Sequence, residues 1–147
     1  WQFFLDAVDF IRNYADRFHH AKEEDVLFVE LINNGMPEKQ SPIEAMHIEH
    51  DQGRAFVRNL ADAAEKALSG ETGQIAVIAE NAAGYIALLR EHIDKEDSVL
   101  YPLAERILPE DVRAQMIVAY HRAEEQTPGL EEKYQRLVEE YERRAVA

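Results

Sequence analysis

The chain has 147 residues, of which 46% are hydrophobic and 31% charged, enough for one soluble domain with its own core. Its net charge of −13 argues against a nucleic-acid partner, because phosphate contacts need Lys and Arg. Cysteine is absent, which excludes disulfides, zinc–thiolate sites, iron–sulfur clusters and a Cys nucleophile. With no bilayer-length apolar run and no basic-then-apolar leader, the expected location is cytoplasmic, with no membrane partner.

Nearly the whole chain reads as helix. Phe4, Val8, Ile11, Tyr14, Ala15 and Phe18 recur at spacings of three and four, and the pattern runs on through Val26 and Val29. Asn33-Asn34-Gly35 followed by Pro37 is a stop signal. Ser41-Pro42-Ile43-Glu44 is a capping box with Pro in the first turn, and it opens a second helix that carries His47 and His50 and fades at Ser69-Gly70. A third helix begins around residues 72–74 and carries Ile75, Ile78, Ala82, Ile86, Leu89, His92 and Glu96; Pro102 is expected to kink or end it. Leu108-Pro109-Glu110-Asp111 starts a fourth helix, and Thr127-Pro128-Gly129 breaks it before a polar helix with Tyr134, Leu137 and Tyr141. Short connections make neighbours antiparallel, so the expected fold is all-α: an up-down four-helix bundle over residues 1–129, with 130–147 as a polar helical extension.

A ten-residue pattern occurs twice, as HHAKEEDVLF from His19 to Phe28 and HIDKEDSVLY from His92 to Tyr101. A His and a Glu four apart share a helix face. The bare spacing is weak, since composition alone predicts roughly one chance occurrence. It is also present at His20/Glu24 and His121/Glu125. The surrounding Lys, Val, Leu and aromatic residues single out His19/Glu23 and His92/Glu96. At the α-helical angular step, the apolar stripe places His19 and Glu23 nearer the interior than His20 and Glu24. Glu24→Ala is therefore expected to spare metal binding.

A buried Glu beside a buried His carries a desolvation cost of several kcal/mol unless something compensates it. A divalent cation does so, and carboxylate and imidazole both suit iron or manganese. Two such pairs on two helices can hold two metals, with the carboxylates as bridges and imidazoles at terminal positions. His50, on the intervening helix, is a further candidate ligand; His47 is read as lying outside the ligand set, and His121/Glu125 as a surface pair.

The order His-x-x-x-Glu, His, His-x-x-x-Glu resembles that of the hemerythrin-like (HHE cation-binding) family. Tyr14 to Phe28, Glu49 to Arg54 and His92 to Arg106 are similar to its characteristic phrases. The resemblance implies a non-haem di-iron centre in a helical bundle. It carries His19, Glu23, His50, His92 and Glu96 over as ligands, with Glu23 and Glu96 as bridges and His20 as a second-tier candidate. Two iron ions are the implied cofactor, with manganese or zinc as substitutes, and O2, peroxide or NO the implied small ligands. The function expected is sensing, detoxification or iron handling. Oxygen-carrying members place two His four apart on the helix of His50, whereas positions 46 and 54 here are Met and Arg, which argues against simple reversible carriage. The family's first His has no counterpart. That gap, with the abrupt start at Trp1, suggests an absent N-terminal helix and an apolar groove that favours a homodimer.

Two other readings stay open. A ferritin-like di-iron oxidase wants Glu-x-x-His on two helices, and only Glu44/His47 fits. A metal-free interaction module would use the Tyr134/Tyr141 stripe against a partner.

Overall fold

A computed structural model describes residues 1–146. Among the described residues there are five helices and no strand. Helix α1 covers residues 2–33, α2 is Pro42–Leu68, α3 covers residues 74–107, α4 is Glu110–Glu125 and α5 is Leu130–Val146. No helix is long and apolar enough to cross a membrane.

The punctuation expected from the sequence sits where it should. Gly35 takes φ 99° after α1, and the Met36 N–H donates to the Leu31 carbonyl at 2.9 Å, which satisfies the helix end. Ser41 caps α2 by accepting from the Glu44 N–H, and the Glu44 carboxylate accepts from the Gln40 N–H at 2.7 Å. Pro102 does not end α3, which runs on as α-helix over Tyr101–Ile107. A wide turn just before it, Glu96–Leu100, is π-helical and hands Pro102 a position near the start of the next α-helical segment. A missing N–H is harmless there.

That wide turn has a twin. Glu23–Leu27 in α1 is also π-helical, with the Phe28 N–H bonded to the Glu23 carbonyl just as the Tyr101 N–H is bonded to the Glu96 carbonyl. The sequence repeat is therefore a repeat of backbone geometry, and each wide turn opens on a Glu of the repeat. Wide turns of this kind gather at functional sites. A longer π-helical stretch, Ile11–His20, precedes the first of them.

Helices α1, α2 and α3 run up, down and up around two apolar clusters. One cluster joins Val8 of α1, Val57, Leu60 and Ala64 of α2, and Ile78 and Tyr85 of α3. The other joins Leu27, Phe28 and Leu31 of α1, Ile43 and Met46 of α2, Leu100 and Ala104 of α3, and Met116 of α4. Each of the three helices thus has one apolar segment at either end of the bundle, and the polar residues of the repeat fall between. Helix α4 packs beside Glu23–Leu27, tied there by Lys22 Nζ to Glu124 Oε1 at 3.1 Å.

Helix α5 lies along the upper half of α1. Buried Tyr134 packs edge-on to Phe10 at 5.4 Å and donates to Asp9 Oδ2 at 2.9 Å, while Tyr141 packs on Phe3 at 4.9 Å. The tyrosine stripe read as a docking face for another molecule is thus consumed inside the chain. A buried Tyr needs a partner for its hydroxyl, and α1 supplies it.

Candidate metal centre

Between the two apolar clusters, Glu23, His50, His92 and Glu96 converge from three helices, all four of them buried. One ligand atom from each lies within 4.8 Å of the others, and His20, His50 and His92 form a second, overlapping group of three within the same distance. The rings of His20 and His50 stack with centroids 3.9 Å apart.

The outer ring nitrogens of this cluster are anchored. His92 Nδ1 lies 2.9 Å from Glu49 Oε2, and Lys95 bonds the other oxygen of Glu49. His50 Nδ1 lies 2.6 Å from Glu24 Oε1. Arg54 donates to that same Glu24 oxygen at 2.8 Å, to Asp16 Oδ1 at 2.8 Å and to Asp51 Oδ1 at 3.1 Å. Asp16 in turn lies 3.4 Å from His20 Nδ1. Burial pushes the carboxyls of Asp16, Glu24 and Glu49 up, but their cationic partners hold all three below the ordinary range. Each is therefore an anion; Glu24 and Glu49 are placed to accept the Nδ1–H of His50 and His92, whereas His20 Nδ1 has no hydrogen-bond partner. A carboxylate behind a His in this way fixes the tautomer that leaves Nε2 as a lone pair.

Those lone pairs face other lone pairs. His92 Nε2 is 2.9 Å from Glu96 Oε1, and His50 Nε2 is 3.4 Å from Glu23 Oε2, yet all four atoms are buried without a hydrogen-bond partner. Buried polar atoms are almost always satisfied. Four acceptors gathered within 4.8 Å of one another can be satisfied together by protons or by a cation. Protonation is the alternative within reach: burial pushes the His92 imidazole down, but Glu96 and Glu49 raise it on balance. Likewise burial pushes Glu96 up, while His19 and His92 bring it well below the carboxylate range. His20 differs, since burial and the neighbouring imidazoles drive it down to about 4, so it stays neutral. A donor set of two carboxylates and neutral imidazoles fits a divalent cation.

The structure brings together all six residues singled out from the sequence, but it reverses the burial order of two. His20 is buried, whereas the side chain of His19 is 45% exposed. His19 approaches from the open side, its Nε2 3.9 Å from both Glu23 Oε2 and Glu96 Oε1. The physical reason is the π-helical stretch over Ile11–His20. Each residue there turns the chain by less than the α-helical step, so a face projected from the upstream stripe arrives rotated. Glu24, expected to face solvent, is instead the carboxylate behind His50.

Asp16, Glu49, Lys95 and Tyr101 have roles in the site that spacing along the chain does not reveal. The Tyr101 hydroxyl donates to Glu23 Oε1 at 2.8 Å. The repeat offered one signal for it, because Phe28 and Tyr101 hold matched positions and a buried hydroxyl needs an acceptor. His47 packs edge-on to Phe28 at 5.1 Å and joins neither cluster, and Glu44 is committed to its cap, so the Glu-x-x-His pattern forms no site. His121 and Glu125 are exposed.

A family model for the hemerythrin HHE cation-binding domain matches residues 1–104, which include α1, α2 and the converging part of α3. The chain belongs to the hemerythrin HHE cation-binding family. No curated protein and no solved structure matches it. Within this HHE domain the buried Glu and His cluster can hold a metal cation.

Proposed function

We propose that the chain is a non-haem di-iron protein that reacts with O2, peroxide or NO. The observation that supports it best is the set of four buried, unpartnered acceptors on Glu23, His50, His92 and Glu96. In this reading Glu23 and Glu96 would be ligands at both an inner and an outer metal position. His50, His92 and His20 serve the inner position, and His19 serves the outer one, where its exposure leaves room for a small ligand.

A pair of ferrous ions held there would supply the electrons for reduction of the small ligand. The chain's own residues do the rest. Glu24 and Glu49 hold the imidazoles of His50 and His92 in one tautomer. Arg54 keeps Glu24 and Asp16 charged and in place. Tyr101 fixes one oxygen of Glu23 and leaves the other, Oε2, turned inward. The two apolar clusters keep bulk water from the bundle axis above and below. Burial first, then the charges of Glu23 and Glu96, raises the Tyr101 hydroxyl far above its ordinary value, so it remains a donor.

The test is metal analysis of the purified protein together with its visible spectrum. The proposal expects iron, and a visible absorption that bleaches on reduction and returns in air. A protein that takes up no iron on aerobic reconstitution, or takes it up without any visible band, contradicts it.

A further inference from the structure

Beside the cluster, on the α1–α2 side, lies a cavity of about 230 Å³ whose inner wall is His20 and His50. Four of the chain's 16 Lys and Arg line it: Arg12, Arg17, Arg54 and Arg58. Only one of its 29 acidic residues does, Asp16, and Arg54 already engages that carboxylate. In a chain of net charge −13 this is a local inversion of sign.

Three of the four arginines have no acidic partner. Among the described residues Arg12 and Arg58 make no side-chain hydrogen bond or ion pair, and Arg17 meets only the neutral side chain of Asn13 at 3.3 Å. Tyr85 of α3 lines the same cavity, and its hydroxyl likewise has no side-chain hydrogen-bond partner among the described residues. Burial, with Asp16 adding to it, pushes that hydroxyl up to about 12, so it is a proton donor at neutral pH. Apolar Ile11 and Val57 complete the walls.

Space and chemistry both exceed what a diatomic gas requires. A water molecule occupies about 30 Å³ in the liquid, so the cavity has room for several heavy atoms. Neutral O2 or NO gains nothing from guanidinium groups. A planar O–X–O anion does, because an arginine fork matches it with two parallel hydrogen bonds. A second, smaller space lies beside Gly53 and Tyr85 and is lined in part by His92.

We propose that this arginine-lined cavity binds a small planar oxyanion, a carboxylate or nitrite, against the His20/His50 wall of the cluster. Arg12, Arg17 and Arg58 supply the charge, and Tyr85 supplies a further donor. The site is built from the chain's own side chains and needs no metal to form, so it is independent of which cation sits beside it.

The test is calorimetric titration of the full-length protein with sodium formate, sodium nitrite and sodium chloride at fixed ionic strength, as purified and after chelation. The expected result is saturable, one-to-one binding of formate or nitrite that persists after chelation, with chloride silent. Arg12→Gln combined with Arg58→Gln should weaken it about tenfold or more, given the strength of charge-assisted hydrogen bonds. Arg143→Gln, remote on exposed α5, should leave it unchanged. If nitrite alone binds, the natural ligand is the inorganic anion; if formate binds as well or better, it is a carboxylate. Equal binding by wild type and the double variant, loss of binding on chelation with helicity retained, or no saturable binding in either preparation overturns the proposal. A protein that binds formate after chelation but takes up no iron keeps this site and loses the di-iron reading.

Discussion

The two copies of the repeat share a sequence and a backbone turn, yet they are not equivalent. In the second copy His92 is buried, lies 2.9 Å from Glu96 and is backed by Glu49 and Lys95. In the first, His19 is half exposed and 3.9 Å from Glu23, while its neighbour His20 takes the interior place. The acid that follows each Glu also diverges: Glu24 anchors His50, whereas Asp97 is exposed. The matched lysines part company too, Lys22 going to Glu124 and Lys95 to Glu49. A repeat fixes what each helix offers; the helices packed against it decide what is used. α2 covers the second copy and supplies its anchor, while the first copy keeps one open side.

If the copies differ in this way, their variants must differ in metal content. Glu96→Ala and His92→Ala should lose nearly all bound metal, since each removes a buried ligand from the inner position, whereas His19→Ala should lose only the outer ion. Metal-to-protein ratios after gel filtration distinguish the two, and equal losses from His19→Ala and His92→Ala would erase the asymmetry.

Next in size are the anchoring carboxylates. Glu49→Ala and Glu24→Ala should each lower affinity about 10–100-fold, as loss of a group that orients a metal-bound His does. Asp97→Ala, the exposed counterpart of Glu24, should change little. Competition with a chelator of known affinity measures all three, and the Glu24/Asp97 contrast is the sharpest check that the matched acids have separate jobs.

Metal at a hundred times its dissociation constant should stabilise the fold by about 2.7 kcal/mol. Glu23→Gln with Glu96→Gln should cancel that gain, because the neutral amides no longer offer anionic ligands to a cation. Thermal melts with and without metal read both effects. Tyr101→Phe is milder: the loss of one hydrogen bond of about 1 kcal/mol to Glu23 should weaken metal about fivefold.

Helix α5 docks on the helix of the first copy through Tyr134 and Tyr141, and its docking should depend weakly on pH. Lys133 chiefly, with Tyr134 and Asn13, holds the Asp9 carboxyl below its ordinary value against the opposing effect of burial. A depressed carboxyl stabilises fully above its unfolded value of about 3.9 and loses that contribution as pH falls through the folded value. Amide exchange over Leu130–Val146 should therefore speed up below about pH 4, with α2 and α3 unaffected at that stage.

Much of this was legible in the sequence because helix signals are local. The capping box at Ser41, the stop at Gly35 and the break at Gly129 depend on neighbouring residues alone. The ligand types were legible too, since the repeat marks them. What escaped was rotation and distance. The widened helix before His20 shifts the angular phase, and no residue in it announces the wider turn. Glu49 reaches His92 across 43 residues, and Arg54 reaches Asp16 across 38, so spacing within one helix says nothing of either. Pro102 does not end the helix because the wide turn before it leaves its missing N–H near the start of the next α-helical segment.

The most direct measurement is a titration of ferrous iron, under anaerobic conditions, into metal-free wild type and His19→Ala. Two inequivalent positions predict two binding steps of different affinity in the wild type, and loss of only the weaker step in His19→Ala. No binding in the wild type, or a single step that His19→Ala leaves untouched, would contradict a centre held tightly by Glu23, His50, His92 and Glu96 and loosely by His19.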